Sequence, residues 1–516
     1  MRAWHYLVRA SIGNGRVKGL FGQVATYTAA QMVTRGAQVA ALLIFPLLLS
    51  PSEYGALGLI VAAAALVNVV APLEVTQGLV RYLPTASPGD KPALSASAWW
   101  FTLVAVLVTA IAGLLAAPVL SAALFGASGY EPVFRTAVMF FAGNALFYFL
   151  LNQCRWEFRV ADYVVMSIAF AGLTLGLGLA LAVQWRDALL GAITGQAIGA
   201  LAVVAYGMVK LRSALWHRPN AVRTRQMLRF SLPLVPASLA VFAAIYASRL
   251  IVNDKLTLAD VGLFTFASQV ATIPSFVILG LQAAVTPFVM ARFAEARTPP
   301  LLARLFEGVV CIGLLAALGI AFFIGDILRT IGNHSYAGAA PLVMILAPAY
   351  LIQQLPIFFP GFAIAERTGL QMVVAITSAV IVVAANYALI DALGLAGAAL
   401  ATLLSALAFL SSWVVLANRF YPIPVRWPRV AALAAAGAAA AWAESGLQVS
   451  KEWLTGWGAL AVKPALLLAV AGAALALDLV AIRTLADQVR RLRHGSMADA
   501  QLNPRKMTGR GAGTWT

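Results

Sequence analysis

Charged side chains are scarce in this sequence. Asp, Glu, Lys and Arg make up 11% of its 516 residues, whereas 62% of the residues are hydrophobic. So few polar side chains cannot cover the surface of a soluble globule of this size. Apolar stretches of about 20 residues or more recur along the chain, and each can cross the roughly 30 Å hydrocarbon core of a bilayer. The sequence therefore predicts an all-α polytopic membrane protein with about fourteen transmembrane helices.

Residues that bind metals or perform covalent chemistry are also few. The chain has two cysteines, Cys154 and Cys311, with no second thiol or histidine at ligand spacing, so we expect buried, inert thiols. It has no phosphate-binding P-loop, no HExxH helix and no nucleophile elbow. No internal loop is long enough to form a catalytic domain. We therefore expect a protein that is not an enzyme and that uses no cofactor and no metal.

The net charge of +17 is unevenly distributed between the two predicted sides of the membrane. With the N-terminus placed inside, the inner segments contain 28 of the 36 Lys and Arg residues, and the outer loops contain five. Basic residues collect on the cytoplasmic side of membrane proteins, so both termini are predicted to be cytoplasmic. Because these residues are spread over short loops and tails, we expect no nucleic-acid partner.

Two distant stretches share one helix-start pattern. SPSEYGALGLI at 50–60 and TLADVGLFTFA at 257–267 each have a hydroxyl N-cap, an acidic residue three positions later and then a glycine. The glycines, Gly55 and Gly262, are 207 positions apart, and other pairs recur at a spacing of 206–208: Tyr130 with Tyr336, Arg159 with Arg367, and Gly191 with Gly397. Short matches in apolar sequence also arise by chance, but the four pairs occur in the same order in both halves, which favours a duplication.

The duplication predicts two parallel six-helix repeats forming two lobes, an architecture that recurs in transporters. We place an N-terminal six-helix lobe at 1–218 and a C-terminal six-helix lobe at 219–426. An extra two-helix segment with a basic cytoplasmic tail follows at 427–516.

The segments LLLSPSEYGALGL and SRLIVNDKLTLADVGLFTFAS resemble the polysaccharide-transport (Wzx-type) flippases of the multidrug/oligosaccharidyl-lipid/polysaccharide exporter superfamily. The similarity covers residues 20–420. It implies a transporter of a bacterial inner membrane, with a lipid-linked oligosaccharide as substrate, membrane lipids around it, and a polysaccharide polymerase and chain-length machinery as further partners. In many relatives an Asp precedes the arginine of the seventh span, where this chain has Ser248.

The first predicted span, 21–48, has polar residues along one helical face, among them Gln31, Arg35 and Gln38. Arg35 lies roughly 20 Å from either end of the span, which is too far for its side chain to reach water. A guanidinium at this depth costs at least about 2.5–3.5 kcal/mol without a partner, so we expect it to face a cavity. The alternative is an ion pair with Glu74, which is predicted to lie deep in the second span, 53–83.

Further candidate substrate-binding residues are Glu74, Gln77 and Arg81 in the second span and Arg249 in the seventh. Arg81 is close enough to the membrane surface for interfacial anchoring, and Arg249 also lies near a span end, so the residues alone leave its role open. Only the resemblance favours a cavity position for Arg249. Secondary cavity candidates, which could equally form interhelical hydrogen bonds, are Asn144, Gln153, Gln269, Gln282 and Gln354.

The preferred hypothesis is a flippase that moves an anionic lipid-linked oligosaccharide by alternating access, with arginine holding the anion. The alternative is a cation-coupled multidrug antiporter of the same superfamily, in which a deep carboxylate such as Glu74 would be central. A membrane scaffold without transport activity is a third possibility.

Overall fold

The computed structural model describes residues 44–276, 292–449 and 457–477, except residues 88 and 127–128, together with a few isolated positions at 36–41, 278–289 and 479. All regular elements within these ranges are helices. Ten helical segments there are long and apolar enough to cross a membrane. The all-α polytopic fold class is therefore confirmed.

The first half of the chain contains seven helices of eight residues or more in the described ranges: α1 (Pro51–Val70), α2 (Val75–Tyr82), α3 (Lys91–Leu115), α4 (Ala117–Phe125), α5 (Glu131–Trp156), α6 (Val160–Gln184) and α7 (Ala188–Lys210). A linker helix follows, α8 (Ala221–Ser231). The described helices of the second half are α9 (Val235–Lys255), α10 (Leu258–Ala271), α11 (Thr298–Thr330), α12 (Ala340–Gln354), α13 (Thr368–Leu393) and α14 (Leu395–Ala417). The extra pair is α15 (Trp427–Val449) and α16 (Trp457–Ala476).

The second predicted span is broken, which corrects the expectation of one helix over 53–83. α1 ends at Val70 and α2 begins at Val75, and Leu73 and Glu74 between them have φ angles of 47° and 54°. Pro72 offers no N–H and disfavours helical geometry at the preceding residue, so the sequence contains a signal for this break. Within the described ranges, further breaks lie at prolines, in 3₁₀ turns that contain Pro233, Pro274 and Pro356.

The backbone confirms the duplication at the paired arginines. The residues before them, Phe158 and Glu366, have φ angles of 56° and 57°. In both turns the arginine N–H donates to the carbonyl five residues earlier, that of Cys154 in one half and that of Phe362 in the other, at 2.9 Å. Positive φ is uncommon outside glycine, so the same turn at equivalent positions shows that both halves fold alike.

The paired glycines at the start of α7 and α14 also have equivalent surroundings. A Cβ atom on Gly191 would lie 2.4 Å from the Leu181 carbonyl oxygen, and one on Gly397 would lie 2.2 Å from that of Leu389. Only glycine permits this approach of each helix to the one before it.

Contacts divide the chain into two compact units. One comprises Met1–Pro299 with Ala316–Ile423, and the other comprises Pro300–Leu315 with Pro424–Thr516. In the second unit the carboxylate of Glu307, which is 1% exposed, accepts hydrogen bonds from the backbone and guanidinium of Arg426. The three predicted segments, 1–218, 219–426 and 427–516, remain a prediction.

Candidate functional site

The two halves meet where α1 and α10 begin. Both predicted capping boxes are formed there, with Ser50 and Thr257 as N-caps, and we call this end of the helices the capped end. A Cβ atom on Gly55 would lie 2.1 Å from the Leu258 carbonyl oxygen, and one on Gly262 would lie 1.8 Å from that of Pro51. Pro51 and Leu258 are themselves 207 positions apart, like the two glycines. The repeats therefore cross at equivalent residues, in an approximately two-fold arrangement.

Hydrogen bonds between the halves reinforce the capped end. The Tyr336 hydroxyl donates to the Leu49 carbonyl at 3.0 Å, and the Asn333 amide donates to the Pro46 carbonyl at 2.8 Å. A third bond of the same direction, from the second half to the first, joins the Asn253 amide to the Leu124 carbonyl at 2.9 Å. Tyr336 is fully buried. The capped end is thus closed by contacts that both halves provide.

The side chains of α9 become more exposed away from the capped end, toward what we call the basic end because α8 and Arg81 lie there. In α9 the residues of the last turns, including Ile251 and Val252, are buried, but Val241 and Ile245 are 49% and 51% exposed. In α2, Val80 is 41% exposed. This gradient is typical of two lobes that touch at one end and separate toward the other.

Arg249 lies on the buried, capped-end part of α9. It is 8% exposed, its guanidinium carbon is 5.4 Å from the centre of the Tyr246 ring, and its Nε has no hydrogen-bond partner among the described residues. The possibility that Arg249 extends to water at the span end is therefore wrong. A buried cation with an unused donor is costly and can bind an anion in a charge-assisted hydrogen bond.

Comparison with known proteins identifies the family. The sequence profile of the polysaccharide biosynthesis proteins matches residues 21–294, which is more than half of the chain. The chain belongs to this family. A search of curated protein sequences gave no match.

Solved structures share the fold of this chain. The lipid II flippase MurJ in an inward closed conformation has a TM-score of 0.67 at 11% identity, with 89% of this chain and 99% of that chain covered. An inward-facing multidrug resistance transporter of the MATE family, in the MOP superfamily, has a TM-score of 0.57 at 16% identity, with coverages of 76% and 95%. The family match confirms the resemblance to polysaccharide-transport proteins inferred from the sequence, and these structures show the shared fold.

Ser248, which stands where many relatives have an Asp, belongs to a network of uncharged side chains. The Ser248 hydroxyl lies 3.2 Å from that of Thr402 and accepts a hydrogen bond from the Asn386 amide at 3.0 Å. All three side chains are buried, and they join α9, α13 and α14. Ser248 therefore serves to pack the helices of the second half together.

The predicted stripe of the second span is divided by the helix break. Glu74 is half-buried in the break itself and forms no hydrogen bond or ion pair through its carboxylate with any described residue. Gln77 and Arg81 are exposed on α2, toward the basic end. The structure thus leaves Gln77 and Arg81 exposed on α2 and buries Arg249 near the capped end, and a binding site shared by these residues remains a prediction.

Three predicted binding residues, Gln31, Arg35 and Gln38, lie outside the described residues. The possible pair between Arg35 and Glu74 consequently remains a prediction. Among the secondary amides, Gln153 is fully buried and donates to Ser95 and Glu157, so hydrogen bonding between and within helices is its role. Asn144 is also buried, whereas Gln282 is exposed.

A set of contacts that the sequence analysis missed fastens α8 to the first half. The Ser231 hydroxyl donates to the Leu73 carbonyl in the helix break at 2.9 Å, and Met227 packs directly against Gly78. The Asn220 N–H donates to Ser97, and Arg223 binds the carboxylate and carbonyl of Asp90. The hydrogen bond from Arg223 lowers the pKa of Asp90. These partners are far apart in sequence, so no local pattern indicated them.

Proposed function

We propose that the protein is a flippase that translocates an anionic lipid-linked oligosaccharide, carried on undecaprenyl pyrophosphate, across a bacterial inner membrane for surface polysaccharide biosynthesis. The family assignment and the fold it shares with a lipid II flippase support the class of activity. In this proposal both termini and the basic end are cytoplasmic, in agreement with the distribution of Lys and Arg.

The observation that carries the proposal is the buried guanidinium of Arg249, whose Nε has no hydrogen-bond partner among the described residues. Its buried position at the closed end of the separation between the lobes is suited to an anionic group that enters from the basic end. A pyrophosphate can take up the unused Nε donor and compensate the buried charge. An uncharged lipid or sugar would leave that charge unbalanced.

Arg35 is proposed as a second cationic contact, with Gln31, Gln38 and Gln77 as hydrogen-bonding residues and Arg81 at the entrance. Glu74 would then distinguish the substrate-free state from the substrate-bound state, by pairing with Arg35 when the substrate is absent. Loss of the contact between α1 and α10 would open the capped end and release the substrate there.

The test is a comparison of Arg249→Gln with Arg249→Lys in cells whose own gene has been deleted. We expect Gln to abolish polysaccharide export and to cause lipid-linked precursor to accumulate on the cytoplasmic side. Lys keeps the positive charge but lacks the planar guanidinium group, so we expect part of the export to remain. Arg135→Gln is the matched control, because Arg135 is exposed and paired with Glu131 on α5. Export at the wild-type rate by Arg249→Gln, at normal protein levels, would exclude Arg249 as the anion site.

The Arg35 contact has its own test. Arg35→Ala is expected to stop export without preventing insertion into the membrane. If the protein instead disappears and is restored by Glu74→Gln in the same chain, the two residues form a structural pair and Arg35 does not bind the substrate.

The carboxylate of Glu74, which is half-buried and has no partner in the part of the chain that the structure describes, favours one alternative, a cation-coupled multidrug antiporter of the same superfamily. Deletion of the gene separates the two functions. Loss of surface polysaccharide supports the flippase, and sensitivity to drugs with intact polysaccharide supports the antiporter.

A further inference from the structure

The outward face of α8 has the properties of a lipid-binding surface. Val222, Arg225 and Arg229 follow helical spacing on one side of the helix, Phe230 lies at the edge of that side with its ring against Tyr82, and all four are exposed. The opposite side, with Arg223, is fastened to the first half of the chain. The three arginines of one short helix therefore have two different roles, one in docking and two directed away from the protein.

Arg225 and Arg229 have no counter-ion among the described residues. Neither forms an ion pair in the described part of the chain, and the nearest acid in contact with α8, Asp90, is bound by Arg223. The sequence from Lys210 to Arg229 contains no Asp or Glu. Like charges four residues apart on a helix repel each other, so this arrangement is unfavourable unless an anion binds between them.

The spacing of the two arginines suits one phosphate. Side chains at positions i and i+4 have Cβ atoms about 5–6 Å apart, and two guanidinium groups at that separation can grip a single phosphodiester through several charge-assisted hydrogen bonds. Val222 is 76% exposed and Phe230 is 38% exposed, while Trp216, just before α8, is 55% exposed. Apolar and aromatic side chains beside basic residues are typical of helices that lie in the membrane interface.

We propose that Arg225 and Arg229 form a binding site for the headgroup of an anionic bilayer phospholipid, with Val222, Phe230 and Trp216 against the acyl-chain boundary. This site is separate from the proposed transport pathway. Because α8 holds Leu73 in the helix break and contacts Gly78, the bound lipid fixes the position of the break relative to the membrane surface. Anionic phospholipid would thereby stabilise the contact between α2 and α8.

The experiment uses Val222→Cys labelled with a bimane fluorophore, in nanodiscs that contain the full chain. Cys154 and Cys311 are buried, so the label is expected to react at position 222. Phosphatidylglycerol or phosphatidylcholine with brominated acyl chains is then included as quencher. We expect brominated phosphatidylglycerol to quench more than brominated phosphatidylcholine at equal content.

This preference is expected to vanish when Arg225→Gln and Arg229→Gln are combined, since each basic residue near an anionic surface contributes about a fivefold increase in affinity. Changing both residues to Lys keeps the charge and is expected to retain most of the preference. Arg419→Gln is the matched control, because Arg419 is exposed after α14 in the second half and is expected to leave the preference unchanged.

Two results would overturn the assignment. One is an equal preference for phosphatidylglycerol in the Gln double variant. The other is relief of quenching by a small amount of added undecaprenyl diphosphate, because that outcome would identify the site as a substrate site.

Discussion

The crossing of α1 and α10 gives the sharpest prediction, because Gly262 leaves no space for a side chain. A Cβ atom there would lie 1.8 Å from the Pro51 carbonyl oxygen, whereas an ordinary contact needs 3.4 Å. Gly262→Ala therefore requires the two backbones to move apart by about 1.6 Å. Overpacking of this kind costs about 1–3 kcal/mol, and this cost destabilises the state in which the capped end is closed.

If the alternative state separates α1 from α10, that cost shifts the equilibrium toward it by roughly 5- to 150-fold. The assay is the distance between spin labels at Arg186→Cys and Ser335→Cys, which are exposed near the capped end in the first and second halves. We expect Gly262→Ala to increase the population at long distance. Gly55→Ala is expected to do the same, since a Cβ atom on Gly55 would lie 2.1 Å from the Leu258 carbonyl oxygen.

Gly172→Ala in α6 is the matched control, because no atom lies within 4 Å of the position of its Cβ. It removes a glycine from a helix without affecting any neighbour. Distance distributions that are the same for Gly262→Ala and Gly172→Ala would refute the reasoning, because the crossing would then not be the contact that holds the capped end closed.

Other predictions concern topology and the fixed contacts. A cysteine at Ser335 should react with an impermeant thiol reagent from outside and one at Ala221 should not, and the reverse pattern would overturn the orientation. Glu307→Gln should lower the free energy of unfolding by about 1–3 kcal/mol, measured by thermal unfolding in detergent, because its buried charged hydrogen bonds are weakened. Asp90→Asn should make α8 more susceptible to trypsin, whereas the control Glu131→Gln should not. The hydrogen bond from Arg223 lowers the pKa of Asp90, so the stabilisation of α8 by this pair is complete above the ordinary pKa of 3.8. It is lost as the pH falls through the lower pKa of the folded state. We therefore expect cleavage of α8 by an acid-active protease to increase as the pH falls.

Arg249 and Glu74 show how far the sequence predicts the candidate site. Both were indicated by their charge within apolar spans, because ionisable residues in such spans are rare and tend to be functional. The burial of Arg249 was not predictable, since its distance from the span end is compatible with a side chain that reaches water. The conformation of Glu74 was missed because the apolar run continues through the break, although Pro72 marks the position.

The sequence by itself determined the membrane class, the helical repeats and their duplication. These features depend on hydropathy, capping residues and spacing along one chain, which are local properties. Tertiary structure alone decided that the duplicated glycines Gly55 and Gly262 face each other, that Arg249 has no partner among the described residues, and that α8 is fastened to the helix break. The glycine pair and the bond from Ser231 to the helix break join residues more than 150 positions apart. Such contacts are set by how the helices pack together, which no periodicity along the chain encodes.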